Sequence, residues 1–96
     1  MTPAARVQAA IEVLDAVIAA ASGAGAPADR IVSDYFRTRR YAGSKDRRAV
    51  RELVYAAIRA CGPMPDSGRA AMLRLSEGDA SLRACFDGSH YGPPVI

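Results

Sequence analysis

The sequence is poor in the residue types that carry most enzyme chemistry. It has one histidine, two cysteines and no tryptophan among 96 residues. His90 lies in a segment rich in glycine and proline, and Cys61 and Cys85 fall at apolar positions of predicted helices. No spacing of histidine, cysteine or carboxylate residues fits a metal site, and no glycine-rich loop follows a predicted strand. We therefore expect no catalytic residue, metal or cofactor in this chain.

Long hydrophobic runs are also missing. The apolar N-terminal stretch is interrupted by Arg6, Gln8, Glu12 and Asp15, so it is neither a signal sequence nor a membrane span. Two cysteines without a secretion signal favour free, buried thiols over a disulfide. These patterns predict a cytoplasmic protein with no membrane partner.

Alternation of polar and apolar residues, the pattern of β-strands, is absent over any useful length, whereas helical periodicity is strong. The spacing predicts a compact all-α bundle of about five helices, with Thr2 and Ser44 suited to cap the first and third. The predicted helices cover residues 3–22, 27–40, 44–61, 67–75 and 79–86. The apolar stripes of the first three helices predict a core in which these residues are in mutual contact: Leu14, Ile18, Ile31, Tyr35, Leu53, Val54 and Ile58.

The end of the sequence differs in composition from the rest. Residues 88–96, GSHYGPPVI, combine glycine and proline with two terminal apolar residues and no polar tail. This composition predicts a helical domain over residues 1–87, followed by the start of a linker to a further domain. We therefore expect the chain to be the N-terminal piece of a longer protein.

Positive charge is concentrated at one turn between two helices. The formal net charge is +3, but residues 37–51 hold seven cationic side chains against one carboxylate, Asp46, and the remainder has a balance of −3. Twelve of the thirteen cations are arginine, which suits bidentate phosphate contacts. Because like charges repel, the cluster favours an anionic partner over a role in stability. The alternative is a solvated charged face or a contact to acidic groups of a neighbouring domain.

Residues 44–59, SKDRRAVRELVYAAIR, resemble the signature helix in the N-terminal domain of Sun/Fmu-type (NOL/NOP/Sun) rRNA cytosine carbon-5 methyltransferases, where an RD/KDR…RELVYG…LR pattern occurs. ARVQAAIEVLDAV resembles the first helix of that domain and ADRIVSDYF the second, so the resemblance covers about residues 4–61. Ala56 stands where the family commonly has glycine, and the chain is short for the full family bundle.

The resemblance implies a NusB-like all-α fold and a longer protein. In that family a following domain binds S-adenosylmethionine and methylates carbon 5 of cytosine in small-subunit ribosomal RNA, using two cysteines, one of them after a proline. Neither Cys61 nor Cys85 has that context, so no catalytic residue carries over. The implied partners are ribosomal RNA and the methyltransferase domain of the same polypeptide.

The expected function is that of an RNA-binding and positioning domain of such a methyltransferase. Two alternatives stay open: a structural domain that packs on the catalytic domain with little RNA contact, and a free-standing antitermination-like RNA-binding factor. If the second and third helices are antiparallel, their charged ends meet in one basic corner that contacts phosphates, with tyrosines available for stacking. The predicted RNA-binding residues are Arg37, Arg39, Arg40, Tyr41, Lys45, Arg47, Arg48, Arg51, Tyr55 and Arg59.

Overall fold

A computed structural model describes residues 1–21, 27–62 and 65–96, and over these ranges the chain forms five α-helices and no strand. The helices are α1 (Pro3–Ala21), α2 (Ala28–Arg37), α3 (Ser44–Cys61), α4 (Gly68–Ser76) and α5 (Ala80–Arg83). The predicted all-α class is confirmed. None of the described helices has the combination of length and apolar character that a membrane crossing needs. The predicted end of the first helix at residue 22 and the glycine-rich loop after it lie outside the described residues.

The core is built around α1, which packs against both α3 and α4. The alanines in its first half, Ala9 and Ala10 among them, are buried and small, so neighbouring helices approach closely. Fully buried side chains come from α1, α2, α3 and α4: Val7, Val13, Leu14, Val32, Val50, Val54 and Met72. The core therefore includes α4, whereas the predicted set of core residues contained none from that helix.

A glycine fixes the distance between α1 and α4. The backbone N–H of Gly68, at the start of α4, donates to the carboxylate of Asp15 on α1 at 2.7 Å. A β-carbon at Gly68 would overlap the carbonyl oxygen of Ile11. Only a residue without a side chain permits this approach, so the two helices meet backbone to backbone.

The predicted core is correct in part. Of its members, Leu14 and Val54 are buried, and Ile31, Tyr35 and Leu53 are half-buried against the core. Ile18 is half-buried but is not among the described side chains that pack against the core cluster, where Val17 lies instead. The prediction is wrong for Ile58, whose side chain is 38% exposed. The reason is the position at which α2 begins. Asp29, in the first turn of α2, lies opposite Tyr55 of α3, and Ile58 lies about one turn further along α3, so α2 does not cover its side chain.

The second helix ends earlier than predicted, at Arg37 and not near residue 40. The N–H of Arg39 donates to the carbonyl of Phe36 at 3.1 Å, a tight turn that ends the helix, and the chain then buries Ala42. Ser44 is also not the cap of α3. Gly43 holds that position, and its N–H donates to a side-chain oxygen of Asp46 at 3.1 Å.

Residues 88–96, predicted as a linker, lie folded against the helices. Pro93 is fully buried, and its carbonyl accepts a hydrogen bond from the Gly88 N–H at 2.9 Å. The guanidinium of Arg69 on α4 donates to the carbonyls of Pro94 and Val95 at 3.0 and 3.2 Å. The segment thus places its aromatic residues beside the helical domain, while the presence of a further domain stays a prediction.

Candidate nucleic-acid interface

The helices α2 and α3 run antiparallel, which is the arrangement that brings their charged ends together. The hydroxyl of Tyr55, late in α3, donates to Asp29 at the start of α2 at 2.8 Å. The opposite ends of the two helices are joined by residues 38–43. The cations at the end of α2 therefore meet those at the start of α3.

Four of these cations line one groove between α2 and α3, which we name the arginine groove. It has a volume of about 560 Å³ and an apolar floor that includes Val32 and Phe36, both buried. Its four cationic residues are Arg37, Arg40, Arg47 and Arg51. Guanidinium groups stay charged at any physiological pH, and an apolar floor focuses their field outward.

Two of the four guanidinium groups have no partner among the described residues. Arg37 pairs with Asp34 at 2.8 Å, and the Nε of Arg47 donates to the Ala42 carbonyl at 3.2 Å. Arg40 and Arg51 form no hydrogen bond or ion pair with any residue in 1–21, 27–62 or 65–96. The groove therefore offers uncompensated positive charge to an anion.

The single carboxylate of the cluster is engaged elsewhere. An oxygen of Asp46 lies 2.8 Å from a guanidinium nitrogen of Arg6 on α1, and the other is 3.5 Å from the N-terminal ammonium of Met1. The hydrogen bond from Arg6 is the main reason that the pKa of Asp46 is below its ordinary value. Asp46 is thus bound to α1 and does not neutralise the arginine groove.

Arg39 and Tyr41 lie away from the groove, in a second depression that we name the tyrosine cleft after Tyr35, Tyr41 and Tyr91. The guanidinium carbon of Arg39 is 3.8 Å from the centre of the Tyr35 ring, and Arg39 donates to the Tyr35 carbonyl at 2.8 Å. The cleft has a volume of about 610 Å³. The predicted single basic corner is therefore two sites, because Tyr35 and Arg37 are two residues apart on α2 and face opposite sides of it.

The remaining predicted residues lie on α3 outside both depressions. Lys45, Arg48 and Arg59 are exposed, and none of the three forms an ion pair with a described residue. Tyr55 is half-buried, and its hydrogen bond to Asp29 raises the pKa of its phenol. It ties α2 to α3, in contrast to the stacking role proposed for it.

Reactive side chains are few and separate. Cys61 and Cys85 are free and half-buried, less buried than predicted, and burial raises the pKa of the Cys85 thiol. His90 is exposed beside Tyr91. Over the described ranges, no group of three or more histidine, cysteine, aspartate or glutamate residues is placed to hold a metal ion. The two depressions offer charge and planar surfaces, which suit binding.

Three residues of the tyrosine cleft were not expected in any site. The sequence places Tyr35 in the predicted core, Glu12 among the polar residues that interrupt the apolar N-terminal stretch, and Tyr91 in the predicted linker. The hydroxyl of Tyr35 donates to Glu12 at 2.7 Å, across 23 residues of sequence. No local pattern carries this information, because the cleft exists only when α2 and the C-terminal segment both pack beside the N-terminus of α1.

Comparison of the chain with protein-family models, with curated proteins and with solved structures gives no match. The resemblance to Sun/Fmu-type methyltransferases and the NusB-like architecture that it implies therefore stay predictions.

Proposed function

We propose that this chain is the RNA-binding N-terminal domain of an S-adenosylmethionine-dependent rRNA cytosine methyltransferase, and that the arginine groove holds RNA phosphates. The observation that carries the binding role is a pair of guanidinium groups on the apolar floor of the groove, those of Arg40 and Arg51, which have no partner within residues 1–21, 27–62 and 65–96. The methyltransferase assignment rests on the sequence resemblance alone, which covers about residues 4–61 and is carried mainly by residues 44–59.

Phosphate is the anion that this groove suits best. Arginine presents a planar fork of donors that matches two phosphate oxygens, and several arginines along one groove match the regular charges of a nucleic-acid backbone. In this proposal the chain positions RNA, whereas S-adenosylmethionine and the catalytic cysteines belong to a following domain of the same polypeptide. This chain itself transfers no methyl group.

A second candidate is a structural domain that packs on the catalytic domain with little RNA contact. The observation in its favour is the exposure of Val95 and Ile96, which are 66% and 55% exposed at the C-terminal end. Under this alternative the arginine groove contacts acidic groups of a protein neighbour.

Salt dependence of RNA binding separates the two. The test variant is Arg40→Gln with Arg51→Gln. The matched control is Arg74→Gln with Arg83→Gln, which removes the same charge from exposed positions, one on α4 and one on α5. Arg47 is left intact because its guanidinium holds the Ala42 carbonyl. Each protein is titrated into a fluorescein-labelled RNA hairpin with an unpaired loop, at a series of salt concentrations.

The slope of log affinity against log salt is about 0.7 per phosphate contact on a single strand. Loss of two contacts should flatten the slope by about 1.4 and weaken binding, with the melting temperature unchanged. The control pair should keep most of the original slope. Equal affinity and equal slope in the groove variant would remove the RNA role and favour the structural domain.

A further inference from the structure

The tyrosine cleft is built from three parts of the chain that are far apart in sequence. One side is α1, with Ala5 and Ala9. Another is Tyr35 of α2, covered by the guanidinium of Arg39. Exposed rings of Tyr41 and Tyr91 complete the lining. The cleft thus combines apolar surface with several planar groups.

The two outer tyrosines are unusually exposed for aromatic side chains. Tyr41 is 74% and Tyr91 73% exposed, although each could bury a large area in the core. Neither hydroxyl forms a hydrogen bond with a residue in the described ranges. The Tyr41 ring is therefore exposed at the cleft, and the Tyr91 ring is exposed there beside the ring of His90, whose centre lies 4.3 Å from its own.

A carboxylate inside the cleft is held in a fixed orientation. One side-chain oxygen of Glu12 accepts from the Tyr35 hydroxyl at 2.7 Å, and the other accepts from the Gln8 side chain at 3.0 Å. Each carboxylate oxygen has two acceptor positions, so one position on each oxygen is left for a ligand. Burial and the bond to Glu12 hold the pKa of Tyr35 well above its ordinary value, which keeps its hydroxyl a donor.

We propose that the tyrosine cleft binds one unpaired nucleobase of the RNA whose phosphates occupy the arginine groove; this inference rests on the proposed function. The base stacks against the exposed rings and the guanidinium plane of Arg39, and its edge donates to Glu12. Guanine is the best match, because its Watson–Crick edge presents two adjacent donors to the two carboxylate oxygens.

The position of the cleft favours a base over an unconnected small molecule. Arg39 lines the cleft and Arg40, the next residue, lines the arginine groove. A strand that crosses residues 38–43 therefore reaches both sites at once, with its backbone at the cations and one base turned into the cleft. Single-stranded nucleic acid is bound by this combination of charge and aromatic surface.

Three RNAs of equal length distinguish the cleft from the groove. They are a short fluorescein-labelled oligouridylate, the same strand with one central guanosine, and the same strand with one central abasic site. The cleft variant is Tyr41→Ala with Tyr91→Ala, which changes only exposed side chains. The control is Tyr55→Phe, outside the cleft, and Arg40→Gln with Arg51→Gln tests the groove in parallel.

Base stacking on aromatic rings should make the unchanged protein bind the guanosine strand roughly tenfold tighter than the abasic strand. The cleft variant should lose this ratio and keep its salt slope. The groove variant should bind all three strands more weakly and keep the ratio. Glu12→Gln should reduce the preference for guanosine over uridine, because an amide offers only one acceptor oxygen.

Intrinsic fluorescence gives a second reading. The chain has four tyrosines and no tryptophan, so tyrosine emission reports directly on stacking. The guanosine strand should quench emission in the unchanged protein and in Tyr55→Phe, and much less in the cleft variant. Equal affinity for the guanosine and abasic strands, with a normal salt slope, would overturn the base site and leave the proposed function standing. Failure to bind any of the three RNAs would overturn both.

Discussion

The helices α1 and α2 both pack against α3, but they are attached in different ways. Most contacts of α1 are apolar and buried, with Val7, Val13 and Leu14 each at most 1% exposed. From α2 only Val32 and Phe36 are buried. Ile31 and Tyr35 of α2 pack half-buried against the core, and hydrogen bonds of Tyr35 to Glu12 and of Tyr55 to Asp29 at the surface complete its attachment.

This difference separates stability from binding. The helix α1 is buried on several sides, and the surface left to it includes one side of the tyrosine cleft, with Glu12. Only Val32 and Phe36 of α2 are buried, so α2 exposes most of its circumference and can present the arginine groove on one side and the tyrosine cleft on the other. Elements with few buried contacts also open at lower free energy than the core. The concentration of charge on α2 and the start of α3 is therefore placed where it weakens the core least.

The largest effect should come from the α1 core. Leu14→Ala removes a side chain that is 1% exposed and should cost roughly 2–5 kcal/mol. For a domain of this size each kcal/mol lowers the melting temperature by about 4–8 °C. Ile58→Ala is the matched control, because that side chain is 38% exposed despite its position on the predicted apolar stripe. Similar melting temperatures for the two variants would contradict the assignment of the core.

A smaller effect should follow from loosening α2. Tyr35→Phe and Tyr55→Phe each remove one hydroxyl that donates to a carboxylate. Each should cost about 0.5–1.5 kcal/mol, toward the lower end because the carboxylates regain water. Amide hydrogen exchange should accelerate in α2 and change little in α1. Tyr41→Phe is the control, since that ring is exposed and its hydroxyl has no partner in the described residues. Uniform acceleration across both helices would show that α2 does not open separately.

The smallest effect concerns acid stability. The pKa of Asp46 is lowered in the folded state, chiefly by Arg6, from an ordinary value of 3.8. A carboxyl group of this kind stabilises the fold above its unfolded pKa, and the contribution is lost as pH falls through the lower folded pKa. Asp46→Asn should therefore reduce the decline of melting temperature below about pH 4. Asp34→Asn, which breaks the exposed pair with Arg37 on α2, should follow the unchanged protein. Parallel acid curves for all three proteins would mean that the link from α1 to α3 has no stabilising role.

Several local features were predictable because their causes lie within a few residues. The Thr2 hydroxyl accepts from the Ala5 N–H at 3.0 Å, as expected for the cap of α1. The apolar spacing along α1 and α3 predicted both helices. A cluster of cations around the turn before α3 was likewise visible, whereas the antiparallel pairing that brings those cations together was only a condition of the argument.

What the amino-acid sequence determined by itself was the set of helices and the amount of charge at one turn, since periodicity, caps and composition act over short distances. Only the tertiary structure decided where that charge faces. Asp46 accepts a hydrogen bond from Arg6, which is 40 residues away in sequence, and so does not pair with the cations of the cluster. Arg69 binds the C-terminal segment across 25 residues, and that segment brings Tyr91 to the cleft. Such contacts depend on how helices pack around a shared core, so no local pattern could divide the cluster between the arginine groove and the tyrosine cleft.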